Sequence, residues 1–197
     1  MQETIDYNLL NKALKYFSKR GFKQVEVPWR VSKEAIEGTF NSRESFKSDD
    51  KFLIGSAEQG FLEIYLQNKL TSNQLMSVSP CFRNELEDYF HQQEFMKLEL
   101  ICFLDKLADL DFRFNDEYSN IKRLVIGFII KKLKIKTSDI FISRVLDSRS
   151  FYSEDILING IEYGSYGIRE FQNKYYIYGT GIALPRASKI LKSIERK

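Results

Sequence analysis

A short stretch of charged and aromatic residues carries the most informative pattern in this sequence. Arg83 and Glu85 stand two apart after an apolar run, and Phe95, Lys97 and Glu99 alternate along a second run. Side chains at i and i+2 share one face of a strand, so each set is expected on one sheet surface. A guanidinium can bind a phosphate or carboxylate, a carboxylate can accept from an exocyclic amine, and an aromatic ring can stack on a base. The pattern indicates either such a binding surface or a surface salt bridge beside a core phenylalanine.

A second pattern lies near the C-terminal end of the sequence. Gly179 and Gly181 alternate along an apolar run that leads through Pro185 to Arg186. Alternate glycines let a ligand approach a strand backbone, and the N-terminus of the helix predicted to follow favours anions. The pattern suits a polyphosphate, and an ordinary tight turn between strand and helix is the alternative.

Hydrophobic periodicity predicts the elements that must position these residues. Apolar residues from Ile5 to Phe17 recur at helical spacing, and this first predicted helix stops at Gly21. The other predicted helices are 58–70, 116–134 and 185–195. The predicted strands are 22–27, 51–54, 74–83, 94–103, 140–145, 156–163 and 175–179. A polar loop is predicted over 32–51. Because no repeat or composition break divides the chain, the layout indicates one α+β domain with a mostly antiparallel sheet flanked by helices.

Composition excludes several classes of protein. Of the 197 residues, 43% are apolar and 29% are charged, which excludes a disordered or collagen-like chain. The formal net charge of +3 is too small to indicate a nucleic acid or a membrane as partner.

Cys81 and Cys102 lack zinc-knuckle spacing and cannot form a disulfide scaffold, so a cytoplasmic location is expected. Cys81 stands two residues before Arg83 and could face the same surface. Neither a signal-peptide pattern nor an apolar stretch of about 20 residues occurs, so no membrane partner is expected.

These patterns occur in an order that resembles the catalytic domain of a class II aminoacyl-tRNA synthetase, with seryl-, aspartyl- and pyrrolysyl-like features. Residues 21–28, which end in Pro28 after a long helix, resemble the family's motif 1. Residues 82–95 resemble motif 2, the most specific of the three, and residues 179–186 resemble motif 3. The resemblance implies a mostly antiparallel sheet flanked by helices and a homodimer formed through the region around Pro28. It also implies ATP and Mg²⁺ as cofactors in the activation of an amino acid.

The resemblance assigns roles to the nucleotide-binding residues. Arg83 would bind the α-phosphate and the substrate carboxylate, and Arg186 would bind the γ-phosphate. Glu85 would accept from the adenine amine, and Phe95 would stack on the adenine ring. His91, the only histidine, would be a loop or phosphate contact rather than a base, since the substrate carboxylate is already ionised.

Two further stretches extend the resemblance to the amino acid and the metal ion. Glu58 resembles the glutamate that binds the substrate ammonium in seryl-type enzymes. Glu162 and Ser165 resemble the pair that coordinates Mg²⁺ beside ATP, and oxygen atoms are the ligands that this ion prefers. Glu99, Tyr163 and Ser165 are candidates to line the substrate pocket. The alternatives are a helix N-terminal charge for Glu58, a solvated strand position for Glu162 and an arginine partner for Glu99.

Two hypotheses about function follow. The first is a ligase that uses ATP and Mg²⁺ to form an aminoacyl-adenylate and passes the aminoacyl group to a carrier protein, a protein, a small molecule or tRNA. The second is a non-catalytic synthetase paralog that acts as a dimeric regulatory or accessory subunit. The presence of Arg83 and Arg186 disfavours the second. Residues 1–197 are expected to form a single catalytic domain without an anticodon-binding domain.

Clustered basic residues raise a third, weaker interpretation as a nucleic-acid-binding surface. The run contains Lys131, Lys132, Lys134 and Lys136, and the basic C-terminal tail contains Arg186, Lys189, Lys192, Arg196 and Lys197. Runs of lysine are more often a solvated face than a footprint.

Overall fold

The computed structural model describes residues 4–39, 45–104 and 116–195. The helices are α1 (Tyr7–Ser18), α2 (Lys33–Glu37), α3 (Ala57–Leu66), α4 (Asp116–Leu133) and α5 (Arg186–Glu195). The strands are β1 (Lys23–Gln24), β2 (Arg30–Val31), β3 (Lys47–Ser48), β4 (Lys51–Leu53), β5 (Gln74–Phe82), β6 (Glu94–Leu104), β7 (Ile140–Arg144), β8 (Tyr152–Ile158), β9 (Ile161–Phe171) and β10 (Lys174–Leu184). None of the helices in these ranges is long and apolar enough to cross a membrane.

Seven strands form the main sheet in the order β1, β5, β6, β10, β9, β8 and β7. Only β1 and β5 pair in parallel, and the other neighbours are antiparallel. A small second sheet has the order β2, β4, β3. The predicted α+β fold with a mostly antiparallel sheet is confirmed.

Side-chain alternation along β6 divides the molecule into two layers. Leu98 and Leu100 point into a core that they share with α1, α4 and α5. Ile101 and Phe103 point the other way, into a core that they share with α2 and α3. Because successive side chains of a strand point to opposite faces, Lys97 and Glu99 lie on the same face as Ile101. We call this the site face.

Two short turns join the last three strands differently from the prediction. The predicted strand 156–163 is interrupted by Asn159 and Gly160, whose φ values of 50° and 81° form the turn between β8 and β9. Asparagine followed by glycine is the strongest local signal for a two-residue hairpin turn, because both positions require positive φ. The sequence therefore held the signal that separates these strands. Gln172 and Asn173, also at positive φ, form the next turn.

The other predicted elements differ mainly in length. The helix predicted over 58–70 ends at Leu66, and the strand predicted over 22–27 is reduced to Lys23–Gln24. The loop predicted over 32–51 contains α2, whose N-cap Ser32 accepts a hydrogen bond from the Ala35 amide, and also β3. Residues 40–44 of that loop lie outside the described residues.

Each of two strands near the site contains one extra residue. Between β8 and β9, Ile156 pairs with Gly164 but Leu157 pairs with Glu162, so Tyr163 has no opposite partner. The same irregularity occurs in β10, where Gly181 is skipped against β6. A β-bulge of this kind shifts the alternation of side chains along its strand. Glu162 and Ser165 therefore both reach the site face, although their separation of three residues would otherwise put them on opposite faces.

Candidate functional site

The part of the site face beside the N-terminus of α3 forms a cavity of about 300 Å³. Eight of the ten sequence-predicted site residues line it, namely Glu58, Arg83, Phe95, Glu99, Glu162, Tyr163, Ser165 and Arg186. Lys97, Asp147, Asp155, Arg169 and Tyr178 also line it. The cavity thus collects acidic and basic side chains from strands that are distant in sequence.

Arg83 and Phe95 lie together at one side of the cavity. The Arg83 Nε donates to the carbonyl oxygen of Gly55 at 2.9 Å, and its guanidinium carbon lies 5.2 Å from the centre of the Phe95 ring. Arg83 Nη1 is 3.3 Å from a carboxylate oxygen of Glu85, a long contact for an ion pair. Nitrogen donors of Arg83 therefore stay available to a ligand beside an aromatic surface.

Arg186 approaches the same cavity from the start of α5. Its Nη1 donates to Glu162 Oε1 at 2.7 Å. The Glu162 side chain is 36% exposed and the Arg186 side chain 13% exposed. This pair is accessible from the cavity, which both residues line.

Glu85 and His91 belong to the loop between β5 and β6 and are not among the described residues that line the cavity. The prediction that Arg83 and Glu85 share a strand face is wrong in one respect, because β5 ends at Phe82. His91 Nδ1 lies 2.7 Å from Asp88 Oδ2 at the surface, and the His91 contacts lower the pKa of Asp88 to about 2. His91 therefore contributes to the conformation of the loop.

Asp155 adds a carboxylate that the sequence analysis did not select. It stands opposite Ser165 across β8 and β9 and lines the cavity with Glu162. Burial and the charge of Glu162 raise the pKa of Asp155, although a hydrogen bond with Ser165 opposes the shift. The described residues contain no group of three or more His, Cys, Asp and Glu side chains that could hold a metal ion. A cation here would be held by two carboxylates and a hydroxyl.

Arg169 lies at the centre of the most densely bonded part of the wall. Its Nη1 contacts both oxygens of Glu58, at 2.7 and 2.9 Å, and its Nη2 donates to Asp147 at 2.7 Å. Its Nε donates to Ser150 Oγ at 3.0 Å. Glu58 also accepts from Tyr176 Oη at 2.9 Å. Although burial acts to raise the pKa of Asp147, hydrogen bonds from Ser150 and Arg169 lower it to about 2.

Glu99 is the second buried carboxylate of the wall. It accepts from Lys97 Nζ at 2.6 Å, from Ser56 Oγ at 2.7 Å and from the Ala57 amide. Burial alone would raise the pKa of Glu99, but Lys97 and Ser56 hold it below its usual value. The partner of Glu99 is a lysine rather than the arginine of the alternative interpretation.

Tyr163 and Cys81 are both buried, with different relations to the cavity. Tyr163 Oη donates to the Gly181 carbonyl oxygen at 2.8 Å, so the two bulged strands are tied together beside the cavity. Cys81 pairs with Phe95 across β5 and β6 and so lies on the site face, but it is fully buried and is not one of the described residues that line the cavity. Burial raises the pKa of its thiol to about 12, which keeps it protonated at neutral pH.

The basic residues of the third interpretation do not form one surface. Lys131, Lys132, Lys134 and Lys136 are exposed and are not among the described residues that line the cavity. Lys189, expected in a basic tail, is instead 4% exposed. Arg196 and Lys197 lie outside the described residues.

No protein-family model matches the chain. The chain is similar to serine–tRNA ligases, with 29% identity to that of Ignicoccus hospitalis over 117 residues and 26% to that of Nautilia profundicola over 151 residues. These matches cover 50% and 67% of this chain but only 25% and 36% of the relatives. The matched part therefore spans about a quarter to a third of the length of these relatives.

Two solved structures share nearly the whole fold. Pyrrolysyl-tRNA synthetase from Desulfitobacterium hafniense matches with a TM-score of 0.72 and 17% identity over 95% of this chain and 69% of its own. Seryl-tRNA synthetase from Pyrococcus horikoshii, solved in complex with ATP, matches with a TM-score of 0.73 and 18% identity over 94% of this chain and 49% of its own. This chain has the fold of a class II aminoacyl-tRNA synthetase catalytic domain.

The synthetase-like domain places its motif residues around one cavity. Arg83 and Phe95 come from the hairpin that resembles motif 2, and Arg186 comes from the segment that resembles motif 3. The wall also contains Arg169 and Asp147, which sequence reasoning missed. For Arg169 the reason is physical. It stands seven residues after Glu162, and a regular strand would place the two side chains on opposite faces, but the extra residue Tyr163 brings both to the site face.

Proposed function

We propose that this synthetase-like domain activates an amino acid with ATP. A carboxylate oxygen of the substrate attacks the α-phosphorus of ATP and forms a new phosphorus–oxygen bond. The bond from that phosphorus to pyrophosphate breaks, and the electron pair leaves with pyrophosphate. The product is an aminoacyl-adenylate. No group of the protein has to remove a proton, since the attacking carboxylate is already ionised at neutral pH.

The observation that carries this proposal is the presence of Arg83 and Arg186 on the wall of one cavity, with Phe95 beside Arg83. Arg83 has donors free to bind the α-phosphate and the substrate carboxylate, which brings the two reacting groups together. Arg186 binds the γ-phosphate, and Phe95 stacks on adenine. Two fixed cations favour the charge that develops on the leaving pyrophosphate.

Glu85 and His91 fit less direct roles. Glu85 is 38% exposed, just beyond the described cavity wall, and its loop position allows it to accept from the adenine amine. His91 is engaged with Asp88 and supports the loop. The position of His91 agrees with a loop or phosphate contact rather than with a general base.

Glu162, Ser165 and Asp155 fit a Mg²⁺ ion. Their oxygen atoms are the ligand type that this hard cation prefers. The raised pKa of Asp155, caused by burial and by Glu162, is the expected signature of two carboxylates that a cation would stabilise. When bound, Mg²⁺ would neutralise charge on the ATP phosphates.

The amino acid would occupy the part of the cavity around Glu58. Two carboxylates, Glu58 and Asp147, share the single guanidinium of Arg169, so the three groups together keep one negative charge. One negative charge matches the ammonium of one amino acid. Glu99, Tyr163 and Ser165 complete the wall near the substrate, which supports a polar environment for its side chain.

A homodimer and a separate acceptor complete the proposal. Trp29 is 57% exposed next to Pro28, and both line a surface cleft with Val27, Leu53 and Phe82. An exposed apolar surface of this kind supports dimerisation through the motif 1 region. The acceptor of the aminoacyl group would be a carrier protein, a protein, a small molecule or tRNA.

The test is amino-acid-dependent exchange of labelled pyrophosphate into ATP, measured with each of the twenty amino acids. We expect exchange with one or a few of them, and loss of exchange in Arg83→Ala. Arg123→Ala is the matched control, because Arg123 is exposed, donates to Asn120 on the same helix and is not one of the described residues that line the cavity. ATP binding by the folded protein without exchange for any amino acid would contradict the proposal and favour a non-catalytic paralog.

A further inference from the structure

Lys189 on α5 makes an unusual contact for a charged side chain. It is only 4% exposed, and its Nζ donates to the carbonyl oxygen of Tyr89 at 2.6 Å. The same Nζ lies 4.9 Å from the centre of the Tyr89 ring. A buried ammonium is costly unless it is hydrogen-bonded, so this contact between the helix and the loop is strongly specified.

The loop that Lys189 contacts is held together internally. We define it as loop 83–93. Asp88 Oδ1 accepts from the amides of Phe90 and His91, both at 2.7 Å, and the amide of Asp88 donates to the His91 carbonyl oxygen at 3.0 Å. The Gln93 amide donates to Glu87 Oε1 at 3.1 Å. These hydrogen bonds link residues 87–93 to one another, so a contact at Tyr89 restrains this part of the loop.

The far side of loop 83–93 faces the nucleotide side of the cavity. Phe90 and Gln92 form a small cleft together with Phe95 and Arg186. Phe95 and Arg186 also line the main cavity. Lys189 follows Arg186 by three residues on α5, so both side chains project from the first turns of one helix. One helix thus carries the cation that faces the cavity and the cation that holds the loop.

We propose that Lys189 is a positioning residue that holds loop 83–93 against α5 and thereby sets the position of Phe90 and Gln92 relative to Phe95 and Arg186. The effect on ATP rests on the proposed function, whereas the contact with the loop does not. Lys189 touches the loop and not the reacting atoms. Its removal should therefore weaken ATP binding and leave the rate at saturating ATP nearly unchanged.

Hydrogen exchange of the full chain, without nucleotide, tests the contact with the loop. In Lys189→Met we expect the amides of residues 83–93 to exchange roughly tenfold faster, since a hydrogen bond from a charged group is lost. Exchange in β6 and β10 should stay unchanged and reports on global stability. Lys189→Arg, which keeps a charged donor, should restore most of the protection. Tyr89→Ala removes only the exposed ring and should give a smaller increase, about twofold to threefold.

Lys192→Met is the matched control on the same helix, because Lys192 is exposed and should leave loop exchange unchanged. In parallel, calorimetry should show ATP binding about tenfold weaker in Lys189→Met, and the exchange assay a raised KM for ATP with little change in kcat. Unchanged loop exchange in Lys189→Met and Tyr89→Ala would overturn the proposal. Faster loop exchange with unchanged ATP affinity would overturn the positioning role. A wild-type protein that binds no ATP would refute the proposed function, and loop exchange would still decide the contact.

Discussion

The cavity has two sets of charged groups that differ in how fully they are bonded. In the inner group, Glu58, Asp147 and Arg169 are joined by three ion-pair contacts of 2.9 Å or less, and Glu99 has Lys97, Ser56 and Ala57 as donors. In the outer group, Arg83 and Arg186 each have one carboxylate partner, and that of Arg83 is at 3.3 Å. The inner group is thus bonded within the protein, whereas the outer group keeps donors for a ligand.

This difference separates stability from binding. Breaking a buried, fully bonded pair leaves an uncompensated charge inside the protein, which lowers the free energy of unfolding. Removing Arg83, a partly exposed cation whose carboxylate partner is distant, affects stability less, but it removes a donor from the ligand. The inner group is therefore expected to hold the shape of the cavity, and the outer group to interact with the phosphates.

The largest effect should come from Arg169→Met. This change leaves Glu58 and Asp147 without their shared cation, so we expect the free energy of unfolding to fall by about 3–5 kcal/mol in chemical denaturation. The double variant with Glu58→Gln should recover part of the loss, because it removes one of the unpaired charges. A coupling energy near zero between the two positions would show that the inner group is not one bonded unit.

Arg83→Ala should have the opposite signature. We expect pyrophosphate exchange to fall about 100- to 1000-fold, as for the loss of one fixed donor to a developing charge. The free energy of unfolding should fall by only about 1–2 kcal/mol, because the ion pair of Arg83 with Glu85 is long and partly exposed and the main loss is the hydrogen bond to the Gly55 carbonyl oxygen. A loss of stability as large as that of Arg169→Met would erase the distinction between the two groups.

Asp155→Asn should alter the metal requirement more than the fold. We expect the Mg²⁺ concentration for half-maximal exchange to rise at least about tenfold, because one of three oxygen ligands loses its charge. Asp139→Asn is the control, since Asp139 is only half-buried and is not one of the described residues that line the cavity. An unchanged Mg²⁺ requirement would remove Asp155 from the proposed metal site.

The smallest effect concerns pH. The lowered pKa of Asp147, about 2 in the folded protein against 3.8, means that its contribution to stability is present above pH 4 and is lost as the pH falls towards 2. After allowance for partial exposure this contribution is about 1 kcal/mol. The stability difference between wild type and Asp147→Asn should therefore shrink from pH 5 to pH 2. Asp88 titrates in the same range in both proteins and cancels in the difference. A difference that stays constant down to pH 2 would contradict the prediction.

The sequence predicted the elements whose patterns are local. The helix that became α4 was predicted from its periodicity, and β5 and β6 were predicted from their apolar content, all with ends within a few residues. The prediction failed at the turn of Asn159 and Gly160, where an apolar run on both sides concealed a strong turn signal. The lengths of α3 and β1 depend on tertiary packing, which a single sequence does not reveal.

The site was predictable where motifs carried it. Arg83, Phe95 and Arg186 were placed on one cavity, as the resemblance implied. Sequence reasoning did not select Arg169 and Asp147, because their importance depends on contacts with residues that are distant in sequence. Arg169 is 111 residues from Glu58, and only the registered strands bring them together. A strand bulge, which changes the face of every later residue, was not visible in the sequence pattern.

The extra residue at Tyr163 constrains how this gene could vary in length. Faces alternate strictly along a regular strand, so deleting one codon at Tyr163 would straighten the register between Glu162 and Ser165. Glu162 and Arg169 could then no longer both face the cavity, and either the proposed metal ligand or the partner of Glu58 would turn into the opposite core. Substitutions at Tyr163 should therefore be tolerated better than any insertion or deletion of one residue between Glu162 and Arg169. A scan of single-residue insertions and deletions along β9 should show that none of them is tolerated in this interval.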